Sequence, residues 1–313
     1  MEQTLKEYLL HRAGGPSYEG LLRFPRYFEI ETVNACNARC PMCTIDDWDR
    51  RDGLMSDETF AKIADEIGAH NDEVYRVALY RDGEPLIDKK LPARVKLMKD
   101  AGVRKVGIST NVALLNPRKS EEILNAGLDE IILSIDSLYP KVYEAIRKNL
   151  DFFEVMENAY NFIKLRDSLG SQCQIWVRMI RQESNRAEWP DFHRFWTSKV
   201  RPTDRVDYRN IHNWGSQLVN FRPVVAADTE KPCVALWSLM VIFANGDVPL
   251  CNVDYSNKYP LGNIHQRSIA GLWQSQEQNR RRESHLDGKR EGICKGCTVW
   301  SEEANAGAEL LAA

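Results

Sequence analysis

The sequence predicts an α/β fold of parallel βαβ units, followed by a smaller cysteine-bearing segment. Three observations support this prediction. A chain of 313 residues with 43% hydrophobic residues is long enough to bury a sizeable core. Six strand-like segments alternate with helical segments, and near residue 222 this alternation gives way to a different pattern. Such alternation implies parallel strands, arranged either as an open doubly wound sheet or as a partial barrel.

The predicted strands are short runs of β-branched, aromatic and other apolar residues. They comprise residues 26–33, 74–80, 104–109, 129–135, 174–180 and 205–212. The predicted helices between them comprise residues 56–69, 89–101, 117–126, 139–168 and 187–199. A short amphipathic helix and a Gly-Gly-Pro turn precede the first strand. We therefore divide the chain into an N-terminal extension (1–25), a main domain (26–221) and a C-terminal domain (222–313).

Three cysteines in a CxxxCxxC pattern follow the first strand, namely Cys36, Cys40 and Cys43. Three thiolates can hold three irons of a 4Fe-4S cluster, which normally takes four cysteines, so the fourth iron is left open to a chelating molecule. The alternatives are half of a zinc site, or buried thiols with no shared role. The missing fourth cysteine favours a cluster that performs chemistry.

Polar residues follow the other predicted strands, where sites collect in α/β folds. The second strand leads into Asp82-Gly83-Glu84-Pro85, in which Gly83 permits close backbone approach to a ligand and Glu84 can accept a hydrogen bond from an ammonium group. Similar polar positions on or after the third, fourth and fifth strands are Ser109, Thr110, Asn111, Ser134, Asp136, Arg147 and Arg178.

Four further cysteines lie in the C-terminal segment. Cys233 begins an apolar run that turns at 245–247 and returns to Cys251, and Asn-Gly between apolar runs is a strong hairpin signal. The predicted hairpin brings Cys233 and Cys251 to the same end. A helix through Trp273 then leads to the CxxC pair Cys294 and Cys297. Four thiols would close a metal site, either for zinc or for an iron-sulfur cluster.

With Pro41 and Met42 before its last cysteine, the first cysteine loop resembles the signature of the radical S-adenosylmethionine (radical SAM) enzymes. The resemblance implies a partial (β/α)6 TIM-like barrel. It also implies that the open iron binds the amino and carboxylate groups of SAM, and that one electron then releases a 5′-deoxyadenosyl radical. This radical removes a hydrogen atom from the substrate.

The same resemblance implies roles for the polar residues at the strand ends. The segment 82–85 is similar to the family's GGEP motif, which receives the SAM amino group, although Asp82 stands in place of the first glycine. Ser109 and Asn111 match residues near the ribose, and Ser134 matches a serine near the SAM carboxylate. The full set implied to bind SAM is Met42, Gly83, Glu84, Pro85, Ser109, Asn111, Ser134, Arg147 and Arg178.

The C-terminal segment resembles the SPASM/twitch extension of the same superfamily, through its cysteines, the Gly-Asp turn, the Leu-Gly-Asn-Ile stretch at 261–264 and Trp273. Full SPASM domains carry additional cysteines for two auxiliary clusters. The resemblance therefore implies the shorter twitch form, with a β-hairpin, a helix and one auxiliary 4Fe-4S cluster held by Cys233, Cys251, Cys294 and Cys297. The enzyme would thus hold two 4Fe-4S clusters.

Enzymes of the twitch type either oxidise a carbinol of a sugar or aminocyclitol to a ketone, or epimerise it with a thiol as hydrogen donor. Oxidation needs a base, and candidates near the strand ends are Arg178, Glu183, Asp207, Arg209 and His212. The eighth cysteine, Cys173, precedes the fifth strand and is expected to be a buried apolar residue remote from the site. This favours a dehydrogenase over an epimerase of an aminoglycoside-like sugar.

Modification of a ribosomal peptide is the remaining alternative, but the segment before the first strand is too short for a folded leader-binding module. The resemblance also implies an electron donor such as flavodoxin or ferredoxin. A net charge of −3 with interspersed signs argues against nucleic acid or anionic lipid as a partner. The lack of a signal peptide or membrane-length apolar run leads us to expect a cytoplasmic protein with a small carbohydrate-like substrate.

Overall fold

The computed structural model describes residues 2–50, 53–218 and 231–300. Its centre is a sheet of seven parallel strands, which we number with all strands in chain order. They are β1 (Tyr27–Ile30), β2 (Arg76–Ala78), β3 (Lys105–Thr110), β4 (Glu130–Ser134), β5 (Gln174–Arg181), β6 (Arg205–Asn210) and β7 (Leu239–Ile242). The strand order across the sheet is β6-β5-β4-β3-β2-β1-β7. The sheet is therefore the parallel α/β core that the sequence predicts, extended by one strand.

Helices pack on one face of this sheet, and further helices precede its first strand and follow its last one. They are α1 (Glu2–Ala13), α2 (Tyr18–Arg23), α3 (Asp57–Gly68), α4 (Leu91–Asp100), α5 (Pro117–Asn125), α6 (Pro140–Ile146), α7 (Phe152–Ser168), α8 (Trp189–Thr197), α9 (Ala235–Ser238), α10 (Ile269–Trp273) and α11 (Gln276–Leu286). Side chains of Ser56 and Asn116 cap α3 and α5 by accepting hydrogen bonds from backbone N–H groups.

The prediction of a single helix over 139–168 is wrong, because two helices occupy this region. Arg147, the residue after the first helix, leaves the helical conformation (φ −106°, ψ 65°), and Asn149 then adopts a left-handed backbone conformation (φ 70°). The Asp151 side chain then accepts from the Glu154 N–H at 2.8 Å and begins α7. This break places Arg147 at the C-terminal end of α6, facing the cysteine loop.

The predicted hairpin is also only partly right. The turn at 245–247 forms, and Gly246 takes the positive φ of 86° that favours glycine there. However, the first arm is β7, which pairs in parallel with β1, from Tyr27 opposite Leu239 to Ile30 opposite Ile242. The second arm, β8 (Asp247–Pro249), pairs antiparallel with β9 (Pro260–Asn263). The apolar run after Cys233 therefore completes the main sheet. The small antiparallel hairpin is formed by the next two strands, β8 and β9.

The two faces of the sheet differ in chemistry. Residues on the outer face, such as Val77, Ile108, Ile131 and Val177, are completely buried in the core beneath the helices. The alternate residues face a cavity and include many charged side chains, which is unusual for a sheet buried on both sides. The outer face accounts for stability, since apolar burial contributes about 25 cal/mol per Å², and the inner face is available for function.

The N-terminal extension packs on the C-terminal domain. The Trp273 ring N–H donates to the Leu21 carbonyl at 2.9 Å, and the Trp237 ring N–H contacts the Tyr18 hydroxyl at 3.0 Å. The predicted boundary between 221 and 222 lies outside the described residues, as do Met1 and 301–313. Among the described helices, none combines the length and apolarity needed to cross a bilayer.

Candidate active site and auxiliary metal site

The cysteine loop follows β1 and borders a cavity of about 440 Å³ on the inner side of the sheet, which we call the main cavity. Cys36, Cys40 and Cys43 all line it. Burial raises the pKa of all three thiols, to about 12 for Cys43. Thiolates are therefore disfavoured here without a compensating positive charge, such as the iron of a cluster. Three thiols on one loop beside an open cavity fit an iron-sulfur cluster with one exchangeable position.

Gly83 is required by the cysteine loop itself. A Cβ atom at this position would lie 2.2 Å from the Val33 carbonyl oxygen and 2.7 Å from that of Ala35. The next residue, Glu84, donates its backbone N–H to the Ala35 carbonyl at 2.8 Å. The sequence-based reason for the glycine, close approach of a ligand, is therefore incomplete, because the neighbour that excludes a side chain is the loop backbone.

The carboxylate of Glu84 is buried and accepts hydrogen bonds from three groups. These are the Thr110 hydroxyl at 2.7 Å, the Asn111 N–H at 2.8 Å and the Leu86 N–H at 3.2 Å. Burial raises its pKa, while these hydrogen bonds act in the opposite direction. Glu84 thus fastens the end of β3 to the loop after β2, and Pro85 begins the short 3-10 turn Pro85–Ile87 beneath it.

The remaining strand-end residues surround the cysteine loop. The Asn111 side-chain amide donates to Asn37 Oδ1 at 2.7 Å and lies 3.7 Å from the Cys36 sulfur. The Arg147 guanidinium binds the Asp136 carboxylate at 2.5 Å and lies 4.0 Å from the Cys40 sulfur. The donors beside two cluster sulfurs are thus an amide and a guanidinium.

Ser109 and Ser134 occupy neighbouring strands at the carboxyl ends of β3 and β4. Their hydroxyl oxygens are 3.3 Å apart, and both residues line the main cavity with Met42. The Met42 carbonyl accepts from the Trp214 ring N–H at 3.1 Å. Of the nine residues that the sequence analysis assigned to SAM, eight line the main cavity and Pro85 is not part of that lining.

Asp82, where the motif has glycine, belongs to a buried ion-pair network. Arg50 contacts Glu31 at 2.8 Å and Asp82 at 3.3 Å, and Arg81 contacts Asp82 at 2.6 Å. Burial raises the pKa of Asp82 to about 7. Because an unpaired buried charge is strongly unfavourable, this carboxylate and the two arginines depend on one another.

The network also reaches the C-terminal domain. The Arg50 guanidinium donates to the Tyr255 carbonyl at 2.8 Å, and Arg81 donates to the Asn252 carbonyl. Asp82 therefore couples the loop after β2 to the domain that carries the second set of cysteines. The sequence contained one signal of this role, an acidic residue in place of a motif glycine and directly after an arginine.

The predicted base candidates separate into two groups. Arg178, Arg209 and His212 line the main cavity, whereas Asp207 stands behind Arg178 and pairs with it at 2.7 and 2.8 Å. Glu183 does not belong to the cavity: its side chain is 85% exposed and pairs with Arg186. It lies in the turn after β5, where solvent rather than the site surrounds it.

His212 lies near Arg81 and Arg209. Burial, reinforced by these two cations, lowers its pKa to about 4. The imidazole is therefore neutral near pH 7 and able to accept a proton. Its Nδ1 accepts the Trp214 backbone N–H at 3.2 Å.

Several cavity residues were missed by the sequence analysis. They are Glu29, Arg76, Tyr80, Arg81, Lys105, Glu130, Trp176, Arg205, Trp214, Asn252 and Trp300. A usable signal was the alternation of charged with apolar residues in strands that read as buried, as in Arg76 to Ala78 and in β6. Asn252 and Trp300 gave no local signal, since they reach the cavity from the C-terminal domain.

The second set of cysteines forms an enclosed auxiliary site. Cys233, Cys251, Cys294 and Cys297 line one small cavity of about 30 Å³. Burial and the proximity of the other thiols raise the pKa of Cys233 to about 12, and burial raises that of Cys294 to about 11. Four such thiols fit a positively charged metal group.

Comparisons with known families match both cysteine sites. The Radical SAM superfamily matches residues 30–170, and the SPASM iron-sulfur cluster-binding domain matches residues 233–298. The tungsten-containing aldehyde ferredoxin oxidoreductase cofactor-modifying protein of Pyrococcus furiosus is 23% identical over 293 residues, which cover 80% of this chain and 81% of that protein. The GTP 3′,8-cyclase of Alkaliphilus oremlandii is 31% identical over 144 residues, 44% of this chain and 43% of the cyclase.

Solved structures share the fold. BtrN in complex with AdoMet and 2-DOIA has a TM-score of 0.61 and 18% identity, covering 88% of this chain and 93% of BtrN. Streptococcus suis SuiB bound to the precursor peptide SuiA also has a TM-score of 0.61, with 16% identity over 81% of this chain and 65% of SuiB. The AdoMet-bound anSMEcpe has a TM-score of 0.64 and 13% identity, covering 91% and 93% of the two chains.

Proposed function

Because the chain is a radical SAM enzyme with an iron-sulfur cluster-binding domain, and so uses SAM and 4Fe-4S clusters, we propose that it oxidises a carbinol of a small carbohydrate-like substrate to a ketone. When bound, SAM and the open-iron cluster supply the 5′-deoxyadenosyl radical, which takes the hydrogen atom on carbon. A base would take the hydroxyl proton, and an auxiliary cluster held by Cys233, Cys251, Cys294 and Cys297 would supply the acceptor for the remaining electron. The reaction thus removes two hydrogens from the substrate.

The observation that carries this proposal is the contact between the two sites. Cys251 lines the auxiliary site, and the next residue, Asn252, lines the main cavity. Trp300 borders both cavities, and its ring N–H donates to Asn252 Oδ1 at 3.2 Å. An electron acceptor held by the auxiliary cysteines would therefore lie next to the main cavity, because Cys251 directly precedes the cavity-lining Asn252.

We assign the base to His212. It is the uncharged member of the cavity-lining candidates, since Arg178 and Arg209 are guanidinium groups. Asp207 is held in two hydrogen bonds by Arg178, so a proton taken by this carboxylate would weaken that pair. His212 can accept a proton without breaking an ion pair, although burial and the neighbouring cations Arg81 and Arg209 oppose its protonation.

The SAM-binding residues that we propose are those implied by the motifs. Their contacts support different roles for individual residues. Ser109, Ser134 and Met42 border the cavity directly. Glu84 acts by holding Asn111 and the loop after β2. Arg147 neutralises charge beside Cys40, and Arg178 lies farther along the inner face.

The epimerase alternative lacks a hydrogen donor in the described part of the chain. Cys173 is only 2% exposed and lies in the outer core beside Arg166, whose guanidinium donates to the Cys173 carbonyl at 2.9 Å. The thiols that border the main cavity there are Cys36, Cys40 and Cys43, which the cluster would occupy. This arrangement supports oxidation.

The test has two stages. Anaerobically reconstituted enzyme given SAM and dithionite, or reduced flavodoxin or ferredoxin as donor, should produce 5′-deoxyadenosine. With an accepted substrate in heavy water, we expect a carbonyl product lighter than the substrate by the two hydrogens removed. A product that keeps the substrate's atoms and gains one deuterium on carbon would identify an epimerase, and activity restricted to a peptide would identify a peptide-modifying enzyme.

A further inference from the structure

We propose that His285 donates a hydrogen bond from its ring Nε2–H to a sulfur atom of the auxiliary cluster, and that this bond makes the cluster easier to reduce. The inference deepens the proposed function and rests on it, because it takes Cys233, Cys251, Cys294 and Cys297 as the cluster ligands. A cluster that is easier to reduce accepts the electron of a substrate radical more readily. His285 would act through the cluster and would not touch the substrate.

His285 belongs to the wall of the auxiliary site. It lines the same cavity of about 30 Å³ as the four cysteines, and it is only 4% exposed. The apolar side chains of Leu236, Val253 and Ile293 line this cavity as well. In surroundings of such low polarity a hydrogen bond is electrostatically stronger than in water, and an unpaired polar group is correspondingly unfavourable.

The two ring nitrogens of His285 have different surroundings. Nδ1 accepts a hydrogen bond from the Cys233 backbone N–H, with 3.3 Å between the two nitrogens. A ring nitrogen that accepts carries no proton, so the proton of this imidazole lies on Nε2. Nε2 is buried and has no hydrogen-bond partner among the residues that the structure describes. A buried donor at the auxiliary cavity therefore needs an acceptor.

A cluster in this cavity would supply that acceptor. Its sulfur atoms carry negative charge, and hydrogen bonds to ionised acceptors are stronger than those between neutral groups. A buried donor without a partner is unfavourable, so a bond to sulfur removes that cost. The reduced cluster carries one more negative charge than the oxidised cluster, so the bond stabilises the reduced form more. Hydrogen bonds to the sulfurs are among the factors that set the reduction potential of a cluster.

Helix α11 holds His285 in place. Gln278, Arg282 and His285 are spaced four and three residues apart, so they share one face of this helix. The Gln278 side-chain amide and the Arg282 guanidinium both donate to the Leu236 carbonyl, at 3.0 and 2.9 Å. All three residues of this face are buried. Because Leu236 also lines the auxiliary cavity, these bonds fix the helix relative to that cavity.

Two substitutions separate the proposed role from a purely structural one. A structural role would be limited to the bond between Nδ1 and the Cys233 N–H. His285→Asn can keep an acceptor near the position of Nδ1 but has no donor near that of Nε2. His285→Gln can keep an N–H near the position of Nε2. The proposal therefore expects the Gln variant to resemble wild type, whereas a structural role expects this of the Asn variant.

The first experiment is an anaerobic redox titration of the full-length holoenzyme, followed by electron paramagnetic resonance. We expect the auxiliary cluster of His285→Asn to be about tenfold harder to reduce, equal to a midpoint potential about 59 mV lower. His285→Gln should stay within about twofold of wild type. The matched control is His193→Asn, which alters an exposed histidine of α8 and should change nothing. A wild-type potential in His285→Asn, or equal shifts in the Asn and Gln variants, would overturn the inference.

The second experiment keeps His285, so it does not depend on how well its variants fold. The variant Cys36→Ala, Cys40→Ala, Cys43→Ala leaves the auxiliary cluster as the source of the signal, and its histidines are labelled with ¹⁵N. In the reduced cluster we expect a weak histidine ¹⁵N coupling and a proton coupling that is lost in heavy water. Absence of both couplings would overturn the inference, and so would the strong coupling of a nitrogen bound directly to iron.

Failure of the proposed function would look different. A potential that depends on His285 in an enzyme that forms no ketone would refute the oxidation and leave this inference intact. An unchanged potential in His285→Asn, in an enzyme that does form ketone, would refute this inference alone. Zinc in place of the auxiliary cluster would refute both.

Discussion

The two cysteine sites differ in how the chain assembles them. Cys36, Cys40 and Cys43 lie within one eight-residue loop and border the large main cavity, whereas Cys233, Cys251, Cys294 and Cys297 come from three separate segments and enclose a small one. A short loop fixes its thiols locally, so one site can remain open on the side of the ligand. Thiols drawn from distant segments meet only after folding, so the other site is closed by the protein around it.

This contrast is consistent with the different tasks that we propose for the two sites. An open iron needs space for a chelating molecule, and the first loop faces that space. A fully ligated cluster exchanges electrons without binding a substrate, and the second site lies one residue behind the cavity wall at Asn252. The comparison can be tested by removing each site, then the link between them, then single supporting residues.

Removal of the first site should have the largest effect. The triple variant Cys36→Ala, Cys40→Ala, Cys43→Ala should lower formation of 5′-deoxyadenosine to the level without enzyme, because no open iron remains. The iron content should fall from about eight to about four atoms per chain, and the visible absorption of the auxiliary cluster should remain. Four irons and bound zinc in wild type would contradict the assignment of the auxiliary site.

Removal of the second site should separate the two chemistries. In the double variant Cys294→Ala, Cys297→Ala, cleavage of SAM should stay within a few fold of wild type, while ketone formation is lost because the electron has no acceptor. Iron should again fall to about four per chain. Normal ketone yield in this variant would show that the auxiliary site does not take the electron, and Cys251→Ala should agree with the double variant.

Removal of Asp82 tests whether its ion-pair network stabilises the junction between the loop after β2 and the C-terminal domain. Asp82→Ala leaves Arg50 and Arg81 buried without their shared carboxylate, which should cost about 3 kcal/mol and lower the midpoint of anaerobic thermal unfolding by about 5–10 °C. The matched control is Asp100→Ala, since Asp100 forms an exposed pair with Lys96. That control should shift the midpoint by less than about 2 °C, and an equal shift in both would refute the network's role.

A smaller effect is expected on SAM affinity alone. Glu84→Gln replaces a carboxyl group that accepts three hydrogen bonds with an amide, so Asn111 is held less firmly. We expect SAM to bind about tenfold more weakly, with both clusters still occupied. Glu122→Gln, on the exposed face of α5, is the control and should leave SAM affinity unchanged. Unchanged affinity in Glu84→Gln would mean that SAM is bound without help from this motif.

The smallest effect should come from the eighth cysteine. Cys173→Ala removes one buried sulfur from the outer core, which costs about 1 kcal/mol of stability, and most ketone-forming activity should remain. Its thiol has a raised pKa because it is buried, so it is neutral and remote from the main cavity. Loss of product in this variant, together with deuterium on carbon in the wild-type product, would show that this cysteine is a hydrogen donor.

The sequence by itself determined the repeating strands and helices and both sets of cysteines. Apolar alternation in strands and helical spacing are local properties, and the seven parallel strands include all six that were predicted. The cysteine motifs were equally informative, because a metal site requires particular residue types at short spacing. The burial of Cys173 was expected as well, because a free cysteine behaves as a small apolar residue.

The tertiary structure alone decided which segments meet. The run after Cys233 became β7 because it could pair in parallel with the open edge at β1, and local pairing signals do not rank that option against a hairpin. Asp82 acquired its role from Arg50, which is 32 residues away in sequence. The arginines of β5 and β6 face inward because strand register sets the side of every residue, and a shift by one position would have placed them in the helical core.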